Sequence, residues 1–183
     1  MGDLERLTRA EAASLHLDLG PVSLQSEAAR AVEFFSAVAL EGSINLEWRE
    51  ARKSLPPLWV VADRNRLQQV LANLISNALK YTPASGHVTV TVLPPEPGQA
   101  QGGLAVADTG TGIPAAELPL IFERFYRGEL SQARSTGGAG LGLTIVQILV
   151  KAMHGRVEVA SESGKGSTFT VWLPLAQGGA RRD

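Results

Sequence analysis

The stretch Arg64–Pro83, RNRLQQVLANLISNALKYTP, constrains this chain more than any other. At about 100° per residue, Leu67, Val70, Leu71, Leu74 and Ala78 fall on one side, the apolar stripe of a helix packed on a core. Arg66, Gln69, Asn73, Asn77, Lys80 and Tyr81 gather on a neighbouring side. Asparagine is a poor helix former because its amide competes with the backbone, yet two stand one turn apart here. Such a face is either solvated surface or a ligand face aiming an amide oxygen, an ammonium and an aromatic ring at something anionic. The helix alone leaves both open. Asp63 is placed to cap its first turn, and Pro83 stops it.

Short elements flank this helix on both sides. Asp3–Leu15 reads as the last turns of a charged helix too short to stand alone, broken by Gly20-Pro21. Val22–Leu24 suits a short edge strand. Ser26–Leu40 is amphipathic, with Ala29, Val32, Phe35 (or Phe34) and Ala39 expected on its buried side. Ile44–Trp48 alternates as a half-buried strand, Leu58–Ala62 is a continuous apolar strand, and His87–Leu93 alternates cleanly. Pro94–Gly103 is a Pro/Gly/Gln connection into an apolar strand, Leu104–Ala107. Ala115–Phe125 reads as a short helix, Gly128–Gly140 as a mobile loop without periodicity, and Leu141–Met153 as a strongly apolar helix. Arg156–Ser161 and Thr168–Leu173 make a closing hairpin around Gly164–Gly166, followed by a disordered tail. Adjacent strands joined by short turns predict an α+β fold. It is a two-layer sandwich with a mixed, mostly antiparallel sheet of about five strands and about three helices on one face.

The 183 residues suffice for one sizeable domain. A formal net charge of −1 exerts no bulk pull towards nucleic acid or an acidic membrane surface. With no cysteine, disulfides and thiolate metal sites are excluded. No apolar run is long enough to span a bilayer, and Met1 opens no signal-peptide pattern.

Two glycine-rich stretches carry further meaning. Asp108-Thr109-Gly110-Thr111-Gly112-Ile113 follows an apolar strand. Its carboxylate is either a turn-former or an acceptor facing an amino group at the bottom of a pocket, with glycines that let a flat ligand approach the backbone. Gly137-Gly138-Ala139-Gly140-Leu141-Gly142-Leu143 immediately precedes the apolar helix, whose N-terminus offers unpaired N–H groups to a phosphate. A dinucleotide fingerprint is excluded because Glu129–Thr136 is no strand, and a Walker A element because Gly166 follows Gly164-Lys165.

In order, the motifs are Asn73-Leu74-Ile75-Ser76-Asn77-Ala78-Leu79-Lys80-Tyr81-Thr82, Asp108-Thr109-Gly110-Thr111-Gly112-Ile113, Phe122-Glu123-Arg124-Phe125-Tyr126-Arg127, Gly138-Ala139-Gly140-Leu141-Gly142-Leu143 and Gly166-Ser167-Thr168-Phe169. This series resembles the catalytic, ATP-binding domain of bacterial two-component sensor histidine kinases, in the superfamily shared with DNA gyrase and the MutL ATPases. The resemblance covers Val22–Pro174. It implies that Asn77 coordinates Mg²⁺, that Asn73 lines the same phosphate-side surface, that Lys80 neutralises phosphate charge and that Tyr81 packs near the nucleotide. Asp108 would accept a hydrogen bond from the adenine amino group, with Gly110, Gly112, Ile113 and Thr168 shaping the base pocket. Gly138, Gly140, Leu141, Gly142 and Leu143 would form the hinge of a flexible ATP lid over Gly128–Gly140, anchored by Phe122 and Phe125. Arg124 and Arg127 are candidates for phosphate or partner contacts, with Arg127 beside Asn77 and Lys80 in the catalytic set. The implied reaction is transfer of the γ-phosphoryl group of ATP to a histidine, which depends mainly on positioning and charge neutralisation.

None of the three histidines has the family's acceptor setting. His16 lies in a connector, His87 opens a strand and His154 ends a helix, so the acceptor is expected on a separate dimerisation domain. The expected division is 1–20 as the end of a dimerisation helix plus connector, 21–175 as the ATP-binding catalytic domain and 176–183 as the tail. The resemblance further implies a cytoplasmic location, with a parent protein that is homodimeric and either membrane-anchored or not. It also implies a monomeric fragment, a response regulator downstream, and no nucleic-acid or membrane contact from this fragment. A serine kinase or ATPase of the same superfamily and a non-catalytic ATP-sensing module are the alternatives.

Overall fold

The structure, a computed structural model, describes residues 16–53, 56–126 and 141–177. Their elements run β1 (Gly20–Ser23), α1 (Leu24–Glu41), β2 (Asn45–Glu50), β3 (Trp59–Ala62), α2 (Arg64–Tyr81), β4 (His87–Leu93), β5 (Gln101–Asp108), α3 (Gly142–Ala152), β6 (Arg156–Glu162) and β7 (Gly166–Pro174). The central helix and strand β4 fall where periodicity placed them. Asp63 caps α2, its side chain accepting from the Arg66 amide.

Among the described residues the main sheet has the order β2-β4-β5-β7-β6. Its one parallel pair is β2 with β4, and the other three are antiparallel. The parallel pair needs a crossover, and the connection between its strands contains α2. Val88, Val90, Val92, Leu104, Val106, Phe169, Val171 and Leu173 point into the layer where the helices pack, and all are buried. From α2 the same core takes Leu67, Val70, Leu71, Leu74, Ile75, Ala78 and Leu79. This is the expected α+β two-layer sandwich. A second sheet, β1 antiparallel to β3, closes one end.

Three local expectations are corrected. The short strand expected at Val22–Leu24 starts earlier, at Gly20-Pro21, and ends at Ser23. Among the described residues that strand pairs with β3 alone, so Pro21 sits on an edge strand, where a missing donor is tolerated. Helix α1 buries Leu24, Glu27, Ala28, Ala31 and Ala39; Val32 and Phe35 are only partly buried, and Phe34 stays 76% exposed. Strand β2, at the sheet edge, is half-buried as expected: Leu46 and Trp48 are registered against the buried Val88 and Val90, and Trp48 is 37% exposed. Residues 115–125 form no α-helix. They make successive turns in which Glu117, Leu120 and Glu123 each donate three residues back, to Pro114, Glu117 and Leu120. Pro119 in the middle has no N–H and would clash with the preceding turn of an α-helix.

Candidate functional site

Helix α2 presents Asn73, Asn77, Lys80 and Tyr81 half-buried on one side. Further out, Arg66 and Gln69 bond to each other at the surface, 3.1 Å apart. Facing the two asparagines is the start of α3. A Cβ built on Gly142 would stand 3.6 Å from Asn73 Oδ1 and 4.0 Å from Asn77 Nδ2. The residue before Gly142, Leu141, supplies no side-chain cap to the first N–H groups of α3. The positive end of a helix dipole and two carboxamides thus share one surface, which suits oxyanions and a hard cation. The Lys80 ammonium lies 5.1 Å from the Tyr81 ring centroid, at the edge of that surface.

The carboxylate comes from the end of β5. Asp108 Oδ1 accepts from the Gly110 amide at 2.8 Å. Burial pushes its pKa up, partly offset by hydrogen bonds from the Gly110 and Ser167 amides. The loop after it touches α2, where the Thr111 amide donates to the Tyr81 carbonyl at 3.3 Å, one turn beyond Asn77. The described contacts therefore link Asp108 to Asn77 through Tyr81 rather than directly.

The glycines of this loop do a different job from the one expected. A Cβ on Gly110 would come 2.5 Å from the Tyr81 carbonyl oxygen, and one on Gly112 2.0 Å from that of Glu162. One on Gly166 would come 2.0 Å from the Asp108 carbonyl oxygen. What these three admit is the protein's own backbone, which locks the Asp108 loop between α2 and the β6–β7 turn.

An open hollow of about 350 Å³ beside Asp108 is lined by residues of β6, β7 and their turn, including Ser161, Ser167 and Thr168. Asn73 and Asn77 do not line it. Of the two β7 hydroxyls lining it, Ser167 belongs to the direct cross-strand partner of Asp108, and alternation turns Thr168 to the opposite face. Ser161 braces this corner. Its Oγ accepts from the Ile113 amide at 2.8 Å, donates to the Gly166 carbonyl at 2.9 Å and lies 2.9 Å from Ser167 Oγ. Sequence reasoning missed Ser161 and Ser167. The inward phase of Phe169, Val171 and Leu173 already carried the signal for Ser167.

Phe122 packs edge-on against Phe169, ring centroids 6.4 Å apart, and its carbonyl accepts from Thr144 Oγ1 at 3.0 Å. This fastens the segment to the first turn of α3. Among the described residues Phe125 has no such packing, being 70% exposed with a φ of 61°. Leu141 and Leu143 flank Gly142, half-buried. Arg127, Gly138, Gly140 and the lid expected over 128–140 lie outside the described residues, as do 1–15 and 178–183. His16, His87 and His154 are all exposed.

Compared with known proteins, residues 62–177 match a family described as histidine kinase-, DNA gyrase B- and HSP90-like ATPase. The adaptive-response sensory kinase SasA of Synechococcus elongatus is 45% identical over 121 residues, 66% of this chain and 30% of that protein. The sensor histidine kinase RppB of Synechocystis sp. is 35% identical over 173 residues, 94% of this chain and 37% of that protein. The chain thus spans well under half the length of either relative. Full-length ShkA in complex with AMPPNP superposes with a TM-score of 0.78 at 34% identity, over 96% of this chain and 35% of that one. The catalytic domain of histidine kinase ThkA, nucleotide-free, gives a TM-score of 0.72 at 23% identity, over 86% of this chain and 96% of that one, a likeness of fold.

Proposed function

Since the chain belongs to the histidine kinase-, DNA gyrase B- and HSP90-like ATPase family, we propose that it is the ATP-binding catalytic domain of a sensor histidine kinase. It transfers the γ-phosphoryl group of Mg-ATP to a histidine on a separate dimerisation domain. The observation that carries this reading is the meeting of the Asn73/Asn77 face with the start of α3, which Leu141 does not cap.

In this reading the N–H groups of Gly142 and Leu143 bind phosphate oxygens, and Lys80 adds a point charge beside them. The residues present fit a magnesium ion, because Asn77 offers a neutral oxygen and Asn73 a second one next to the helix terminus. When bound, Mg²⁺ supplies charge neutralisation on the phosphates. Asp108 accepts from the adenine amino group, within a corner built by Gly110, Gly112, Ile113 and Ser167, with Thr168 behind it. Gly138, Gly140 and Leu141 complete the lid hinge, and Arg127 is kept as a phosphate or partner contact.

The acceptor domain, a downstream response regulator, a homodimeric parent and a cytoplasmic location belong to the same proposal, as does the division 1–20, 21–175 and 176–183. No helix among the described residues is long and apolar enough to cross a membrane.

The test is a nucleotide titration with and without Mg²⁺, followed by incubation with histidine-bearing helical domains. Binding that strengthens with Mg²⁺, loses that increment in Asn77→Ala, and leads to acid-labile phosphate on the helical domain is the expected result. Acid-stable phosphate on a partner serine, steady ATP hydrolysis by the chain alone, or binding without transfer to any of several histidine domains would each replace it with another reading.

A further inference from the structure

The first turn of α2 is tied to the chain that enters the domain. Strand β1 pairs with β3 up to Gly20 opposite Ala62, and at Asp63 the backbone leaves the ladder and becomes helix. A side chain continues the pairing there. Asp63 Oδ2 accepts from the Asp18 amide at 3.0 Å, while Oδ1 accepts from the Arg66 amide at 3.1 Å. One buried carboxylate thus holds both the connector and the helix N-terminus. Just ahead of Asp18, Leu17 packs against the core, whereas His16 is exposed.

A second tether acts at the same turn. Glu27 of α1, wholly buried, accepts from Gln68 Nε2 at 2.6 Å and lies 3.1 Å from Arg64 Nε. Arg64 Nε is close enough for an ion pair but does not align for a hydrogen bond, leaving Oε1 without one. With its near end fixed to α1 and its cap fixed to the connector, α2 is a rod. Asn77 stands about 21 Å further along it, at 1.5 Å per residue.

We propose that Asp63 is a positioning residue that latches the connector at Asp18 to the first turn of α2, so that entering chain and nucleotide helix move as one body. Any pivot between this domain and the residues before it then lies no later than His16. The proposal rests on the reading of α2 as the nucleotide helix.

Asparagine at position 63 isolates the latch. It caps helices as well as aspartate does, so its oxygen keeps the Arg66 amide, but its NH₂ group meets the Asp18 N–H donor to donor. The experiment is amide hydrogen exchange on the 183-residue chain with and without AMPPNP, beside affinity measurements. Without nucleotide, Asp63→Asn speeds exchange at Asp18 about tenfold while residues 64–81 stay protected. In the unaltered chain, saturating AMPPNP slows exchange at Asp18 threefold or more, and by reciprocity Asp63→Asn weakens AMPPNP by the same factor. Asp18→Pro, which deletes the donor, weakens it equally, and the double variant is no worse than either single one. Failure of the unaltered chain to bind AMPPNP overturns the reading of α2. Binding with no response at Asp18, or additive losses in the double variant, overturns the latch.

Discussion

Replacing Asp108 by asparagine separates base recognition from stability. A carboxylate accepts about four hydrogen bonds, and the Gly110 and Ser167 amides take two, leaving capacity for the adenine amino group. In asparagine the oxygen stays with Gly110, and an NH₂ group meets the adenine amino group donor to donor. A hydrogen bond to a charged group contributes about 1.5–3 kcal/mol, so ATP should bind about tenfold to a hundredfold more weakly. Guanine presents a carbonyl at that edge and can accept from the new NH₂, so GTP should weaken less or gain. Stability carries a separate, pH-dependent signature. Burial raises the Asp108 pKa, so its ionisation opposes folding above the folded-state value, and this opposition vanishes below the ordinary carboxylate range. Relative to the unaltered chain, Asp108→Asn should therefore stand best at neutral pH and lose ground as pH falls, beside a pH-independent cost where its NH₂ group meets the Ser167 amide donor to donor. Calorimetric titrations with both nucleotides and thermal melts across pH give the readout. A folded Asp108→Asn chain with unchanged ATP affinity, or with equal losses for ATP and GTP, would refute the assignment.

Gly112 and Gly164 make a paired test of the glycine argument. Both have positive φ, 66° and 81°, but a Cβ on Gly112 meets the Glu162 carbonyl and one on Gly164 meets nothing. In urea unfolding Gly164→Ala should cost about 1–2 kcal/mol for backbone handedness alone, and Gly112→Ala clearly more. Arg64→Ala leaves Glu27 buried with Gln68 as its remaining side-chain partner, and should lower stability by about 1–3 kcal/mol; adding Glu27→Gln should recover part of that loss. For Asp63, burial works to raise the pKa, but the amides of Asp18, Arg66 and Asn65 and the Arg66 charge outweigh it, so the net shift is downward. The resulting stabilisation is present above the ordinary Asp value and is lost as pH falls through the lower folded value. Melting temperature should therefore drop less steeply with acid in Asp63→Asn.

What was legible in the sequence was local. Helix α2 announces itself because its apolar residues keep a 3.6-residue period over 18 residues and a capping aspartate precedes it. Strand β4 alternates without interruption and was bounded to the residue. Pairing is a different kind of information. Nothing in Asn45–Glu50 states that its neighbour is β4 and runs parallel, because that follows from where α2 carries the chain. Glu27 looks like an ordinary charge on a polar helix face, and only the approach of Gln68 and Arg64 from α2 makes it a buried tether. Residues 115–125 read as a short helix, and with Pro119 among them they make successive turns instead.

The glycines carry this distinction furthest. Asp-x-Gly-x-Gly reads in sequence as a place where a ligand comes close to backbone, and in the fold it is a place where backbone comes close to backbone. The two statements have different consequences for binding. A loop fixed by close backbone contacts on two sides holds Asp108 in place before any ligand arrives, so little ordering entropy remains to be lost on the base side. The phosphate side is built the opposite way, from N–H groups at the start of α3 that the Leu141 side chain does not cap. Ordering on nucleotide binding should therefore concentrate at the start of α3, with the Asp108 loop already rigid. Amide exchange that slowed at 108–113 but not at 142–145 would contradict this division of labour.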